Sequence, residues 1–351
     1  MPAERTLTIP TDPEAPASKP GTQTTSPSTG GGKLEFAIGV LNGVLGDYLH
    51  RESNGLATPM ELFVDGRPVP LERAALQQAY PAATRRLVLF VHGFAVTEAI
   101  WTFPDEPGVS YGELLRRDEA LTPLYLRYNT GLHISDNGES LARLLEELVA
   151  AFPVPVEELV LVGYSMGGLV VRSACHVAAE AGQTWLSRVR RAIYLGVPHL
   201  GSPLERVGRA VSWMLRKVPN AYTQLIADVV DLRSSGVKDL GVACLLRRDW
   251  EDADPNVPLQ SRAHPVPLLP GISHHLLVGA LAAEERHLLS MLFGDGVVPL
   301  TSATGRAGCA LHDLLVPPEN VRVVTGIHHV ALAHDAQVYA QLKTWFEEVS
   351  P

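Results

Sequence analysis

The chain has 351 residues, a hydrophobic content of 46%, a charged content of 19%, a formal charge of −9 and a pI near 5.8. Its length accommodates one large α/β core with an insertion, and the lack of a basic footprint argues against nucleic acid as a partner. A substrate is therefore expected to be neutral, or drawn in by shape and apolar contact.

Cys175, Cys244 and Cys309 are odd in number and far apart. They read as buried thiols, with neither a disulfide framework nor a structural metal site implied. Met1-Pro2-Ala3-Glu4-Arg5 leads into no apolar leader, and no run of about 20 apolar residues occurs elsewhere, which gives the expectation of a soluble, cytoplasmic protein.

Residues 1–33 are dominated by Pro, Thr, Ser, Ala and Gly. Such a composition buries too little apolar area to offset chain entropy, so a disordered tail is expected there. From Leu34 the pattern changes. Leu34, Ile38, Leu41, Val44 or Leu45, and Tyr48 recur at helical spacing, and Gly39, Gly43 and Gly46 supply small positions for close packing. The polar side lacks the basic residues of a membrane-surface helix, so this helix is expected to dock on its own domain.

Glu61 to Val64 followed by Asp65-Gly66 predicts an early hairpin or edge strand. Leu87-Val88-Leu89-Phe90-Val91 is a continuous apolar run of the kind buried on both faces of a parallel sheet. A helix near Tyr111 to Arg117, a strand from Leu124 to Tyr128 and a helix from about Asn137 to Ala151 come next. Leu159 to Val162 reads as a strand and Leu169 to Ala174 as a helix, and Ala192 to Leu195 resumes the strand pattern. This alternation predicts a mostly parallel sheet with helices on both faces.

Between 202 and 270 the alternation breaks. Val207, Val211, Met214 or Leu215, and Val218 form one helical stripe; Tyr222, Leu225 or Ile226, and Val229 form another. Two inserted helices are expected to form a cap, with ordinary sheet-covering helices as the plainer alternative. The sheet pattern returns at Leu276 to Gly279 and Val321 to Val324, and a helix from about Asp335 to Val349 closes the chain.

Gly163-Tyr164-Ser165-Met166-Gly167 joins the strand ending at Val162 to the following helix. A G-x-S-x-G motif in that context lifts the serine hydroxyl off the sheet's end on a sharp turn, where the small neighbours let strand and helix pass closely. A serine hydroxyl is a weak nucleophile at neutral pH and needs a base, which in turn needs an acid to fix its tautomer. Asp295, set between Gly294 and Gly296, is the candidate acid, with Asp313 and Asp335 in reserve. His329 is the candidate base, chosen over its neighbour His328 by its spacing from the last helix. The N–H of Met166, next to the nucleophile, and that of Phe94, in the His92-Gly93-Phe94 loop, are the candidate oxyanion donors. His92 itself reads as structural.

These pieces together resemble the α/β-hydrolases of the lipase-like branch, similar to bacterial triacylglycerol lipases and to glycosylphosphatidylinositol inositol-deacylase relatives. The likeness is carried by Val91 to Phe94, Tyr128 to Ser135, the Ser165 turn, Gly196 to Pro203, Gly294 to Pro299 and the His329 segment, and it runs from about residue 85 onward. Val197 stands where relatives often carry Thr. The resemblance implies a triad of Ser165, Asp295 and His329 and carboxylic-ester hydrolysis without metal or organic cofactor. His199 then orients backbone at the pocket border. A small-molecule or lipid ester is the implied substrate, with transient lipid-surface contact through the cap. Amide hydrolysis or acyl transfer on the same residues, and a catalytically silent binding protein on the same fold, are the alternatives.

Overall fold

The computed structural model describes residues 31–203, 208, 234–251, 263–282, 294–306 and 313–348. Most of the expected tail, the residues of both apolar stripes from Val207 to Val229, and Cys309 lie outside the described residues.

Eight strands form one sheet. They are β1 (Glu61–Val64), β2 (Arg67–Val69), β3 (Arg86–Val91), β4 (Thr122–Arg127), β5 (Glu158–Tyr164), β6 (Val189–Leu195), β7 (Ser273–Ala280) and β8 (Val321–Thr325). Their order is β2-β1-β4-β3-β5-β6-β7-β8. The Asp65-Gly66 turn folds β2 back on β1, and β1 runs antiparallel to β4. From β4 to β8 all neighbours are parallel.

The long helices are α1 (Gly31–Arg51), α2 (Arg73–Ala79), α3 (Tyr111–Glu119), α4 (Ile134–Ala151), α5 (Met166–Ala181), α6 (Ser235–Val242) and α7 (Ala336–Glu347). Alternate residues along a strand face opposite sides, so each central strand serves two cores. Leu87, Leu89, Val91, Leu159 and Leu161 pack with Leu141, Leu145, Leu169 and Val170 of α4 and α5. Val88, Phe90, Val160 and Val162 pack with Tyr111 and Leu115 of α3 and with Leu342 and Trp345 of α7. This double burial is why the strands read as unbroken apolar runs rather than alternating ones.

Local chemistry sets the helix starts. The Ser110 hydroxyl accepts from Glu113 N–H at 3.2 Å at the head of α3, and the Asp335 carboxylate accepts from Gln337 N–H at 2.8 Å at the head of α7. Helix α4 begins at Ile134, earlier than the sequence pattern suggests, because the Asp239 carboxylate of α6 accepts from Ile134 N–H at 2.9 Å.

Helix α1 docks on its own domain, through only part of the stripe its periodicity marks. Leu34, Leu45 and Tyr48 are 62%, 40% and 52% exposed, whereas Val44 of that stripe and Val40 outside it are buried. The docked face is the one carrying the glycines. A Cβ on Gly39 would stand 2.9 Å from the Val96 carbonyl carbon, and one on Gly43 would stand 2.8 Å from the Ala95 Cβ. Missing side chains therefore bring the helix backbone directly onto the loop that follows β3. Glu35 also meets the buried Arg127, whose Nη2 bonds Glu98 Oε1 at 2.5 Å and whose Nε bonds Glu98 Oε2 at 2.6 Å. The helix starts at Gly31 and so takes in the last residues of the stretch read as tail.

No helix among the described residues is long and apolar enough to cross a membrane.

Candidate active site

Ser165 follows β5 directly and caps α5, with φ 52° and ψ −126°. A non-glycine residue with positive φ is strained, and such strain persists only where surrounding structure imposes it. Here the constraint is close packing around the turn. A Cβ on Gly163 would come within 2.7 Å of Gly168 N, and one on Gly167 within 2.8 Å of the Val91 carbonyl carbon. Ser165 N–H is fixed as well, donating to Leu195 O at 2.9 Å.

Asp295 lies beyond β7 and His329 beyond β8, so both reach the same sheet edge as Ser165. Ser165 Oγ is 2.9 Å from His329 Nε2, and His329 Nδ1 is 2.6 Å from Asp295 Oδ2. An ionised carboxylate only accepts, so Nδ1 carries the ring proton and Nε2 is left to accept from the serine hydroxyl. The other carboxylate oxygen, Asp295 Oδ1, accepts from Val297 N–H at 3.0 Å and Val298 N–H at 2.9 Å. All three side chains are buried.

A serine on a strained strand-to-helix turn in the middle of a parallel sheet, with an acid and a histidine delivered by the last two strands, decides the architecture. The chain has the α/β-hydrolase fold. It is similar to solved structures of a lipase from Bacillus licheniformis (19% identity over 76% of this chain and 93% of that chain, TM-score 0.46), a thioesterase from the prodiginine pathway of Streptomyces coelicolor (18%, 75% and 91%, 0.42) and an esterase from Pyrococcus furiosus (12%, 76% and 85%, 0.41). No protein-family profile and no curated protein matches the chain.

Within this hydrolase fold Phe94 lies in the loop after β3 and Met166 opens α5; both are buried. The loop is held close to the nucleophile, because a Cβ on Gly93 would stand 3.0 Å from Ser165 Cβ. His92 is locked away from it. Its Nδ1 bonds Gly93 O at 2.9 Å, its ring stacks on Tyr128 at 4.5 Å, and Tyr128 OH donates to His92 O at 2.8 Å. Burial pushes the His92 imidazole down to about 4, so it is neutral at pH 7.

The residues passed over as reserves have other tasks. Asp335 caps α7, and His328 Nδ1 accepts from Ala331 N–H at 3.2 Å at the start of the turn after β8. Asp313 is half-buried, and the His329 Nδ1 that it would have to engage is taken by Asp295.

Three neighbours of the site were not singled out from the sequence. Tyr164 OH donates to His329 O at 3.2 Å, and its ring lies 5.1 Å from the imidazole. Gly196, with φ +57°, and Gly279 make room for Asp295 and His329. A Cβ on Gly196 would meet Asp295 Oδ2 and His329 Cε1 at 3.2 Å, and one on Gly279 would meet Asp295 Cβ at 2.9 Å. The signal was present, since each glycine closes or follows an apolar strand, but its use depends on which loop returns there. Among the described residues no group of histidine, cysteine and carboxylate side chains could hold a metal ion.

Proposed function

We propose that the chain is a serine hydrolase of carboxylic esters, acting on a small-molecule or lipid ester. The observation that carries the reading is the continuous hydrogen-bonded series from Asp295 through His329 to Ser165, in a buried setting where each partner is fixed independently.

On this reading Ser165 Oγ attacks the ester carbonyl while His329 Nε2 takes its proton, and Asp295 stabilises the resulting imidazolium. The Met166 and Phe94 N–H groups face the developing oxyanion, where each such preset donor contributes ~3 kcal/mol to the transition state. Collapse breaks the bond to the alcohol, which leaves with the proton held by His329. Water then attacks the acyl-enzyme, gives its proton to His329, and the carboxylic acid departs as Ser165 regains its hydrogen. The scheme calls on no metal or organic cofactor.

The test is turnover of p-nitrophenyl esters of graded acyl length by the native chain and by Ser165→Ala. The native chain should hydrolyse at least part of the series and the variant none above background, with unchanged thermal unfolding. Ester hydrolysis persisting in a well-folded Ser165→Ala removes the reading.

A further inference from the structure

Two turns of α5 beyond the nucleophile, about 10 Å along the helix axis, stands an arginine with no counter-charge among the described residues. Arg172 is buried. Its Nη1 is 3.3 Å from His199 Nδ1 and 3.5 Å from His199 O, and its Nη2 donates to Val266 O at 2.5 Å. Its Nε has no hydrogen-bond partner. All of these acceptors are neutral, and among the described residues no carboxylate pairs with the guanidinium.

The histidine beside it repeats the pattern. A guanidinium can only donate, so His199 Nδ1 must accept and the ring proton of the neutral imidazole sits on Nε2. That Nε2 is buried and has no partner either. Two buried N–H donors, on Arg172 Nε and His199 Nε2, thus stand unsatisfied in one cluster that carries a net positive charge. Burial lowers the Arg172 guanidinium to about 10, and burial with the nearby Arg172 and His274 holds His199 well below its ordinary range. Leaving a buried charge unpaired is strongly unfavourable, and each unmet donor adds to this.

Both side chains line a cavity of about 740 Å³. Its other walls include Val242, Leu245, Leu268 and Leu314, so the space is mainly apolar beyond the charged end. The triad and the two oxyanion residues are not among its walls. Asp249, buried on the neighbouring segment, cannot serve the arginine. Its Oδ2 accepts from Leu245 and Leu246 N–H at 3.0 and 2.9 Å, and its Oδ1 from His264 N–H at 3.1 Å with His264 Nδ1 at 2.7 Å. Asp313, which also borders the cavity, is half-buried and is not among the charges acting on Arg172.

We propose that this cavity is a binding site for an oxyanion, a carboxylate or phosphate group, seated against Arg172 and His199 and separate from the Ser165 centre. An anionic oxygen in the cavity supplies the charge missing beside the guanidinium, whereas the two orphan N–H groups are closed in by neighbouring atoms and leave the cluster short of acceptors. A water molecule in the cavity leaves that charge unmatched. The group can arrive as a free anion or as the head of an amphiphile whose tail lies along the apolar walls. The site needs no reaction at Ser165, so it stands or falls apart from the hydrolase reading.

The experiment is isothermal titration calorimetry of the native chain with inorganic phosphate, acetate and octanoate at constant ionic strength. It is repeated on Arg172→Gln and on Leu268→Trp, which fills the cavity from a half-buried wall position. Saturable binding of at least one ligand is expected, weakened about tenfold or more in both variants by loss of a charge-assisted contact or of space. Phosphate or acetate binding marks a free anion, and binding of octanoate alone marks an amphiphile. No saturable binding of any of the three overturns the proposal. So does binding unchanged in Leu268→Trp, or binding that survives in a folded Arg172→Gln. Should Arg172→Gln fail to fold, Leu268→Trp decides.

Discussion

Asp295 and His329 are joined twice: their side chains meet at 2.6 Å, and His329 N–H donates to the Asp295 backbone carbonyl at 3.0 Å. The loops after β7 and β8 are thereby locked together at the point where, on the proposed reading, Asp295 orients His329. This double clasp separates the role of the carboxylate charge from the role of loop position. Asp295→Asn keeps an oxygen for the Val297 and Val298 N–H groups, while its amide presents a donor to Nδ1. The ring must then hold its proton on Nε2, where it cannot accept from Ser165. A fall in kcat of about 10³–10⁴ is expected with little change in thermal midpoint, by analogy with triads of this type. Steady-state kinetics beside calorimetry of the same sample checks it.

Ser165 occupies a strained backbone conformation that glycine adopts freely. Relief of 1–3 kcal/mol of strain, offset by glycine's entropy, leaves Ser165→Gly about 1 kcal/mol more stable than the native chain. Denaturant unfolding should show a higher midpoint together with loss of turnover. A lower midpoint would show that the turn is not strained.

Gly196→Ala places a methyl group beside Asp295 Oδ2 and His329 Cε1 at a backbone φ of +57°. The variant should lose at least about 1 kcal/mol of stability and a larger share of kcat than of KM, because the acid-base pair is displaced while the rest of the pocket stays. Kinetics and unfolding of the purified variant test both parts.

Acid lability follows from buried histidines. Burial lowers His92, His274 and His275 to about 4. In the unfolded chain each titrates near 6.5, so below that pH the unfolded state binds more protons and gains on the folded one. The stability these residues confer is therefore full above pH 6.5 and is lost as pH falls toward 4, by at most about 1.4 kcal/mol per pH unit for each histidine. Thermal midpoints should drop between pH 6.5 and 4.5, with proton uptake on unfolding measured by calorimetry in buffers of different ionisation heat. A flat midpoint across that interval would show that these rings are protonated in the folded chain.

The parallel strands, the elbow and the order serine, acid, histidine were legible because each is local: an apolar run, a glycine-framed serine, a turn after a strand. Choosing His329 over His328 used only the spacing to α7, and the structure brings His329 to Ser165 while His328 caps the turn beside it. What sequence could not reveal depends on distant partners. The early start of α4 comes from Asp239, which also meets His133 Nδ1 at 2.9 Å across 106 residues. The docked face of α1 is likewise set by the loop it covers, which takes Val44 from the hydrophobic stripe but leaves Leu34 and Tyr48 exposed. Arg172 gives no signal within the sequence of α5 until the absence of a counter-ion among the described residues is visible.

The central claim is that Ser165 is a nucleophile activated by His329. Treating the native chain with a fluorophosphonate probe and mapping the adduct by peptide mass spectrometry tests it most directly. A single adduct on Ser165, abolished in Ser165→Ala and strongly slowed in His329→Ala, is the predicted result. No adduct, or one formed on Ser165 at the same rate without His329, would contradict it.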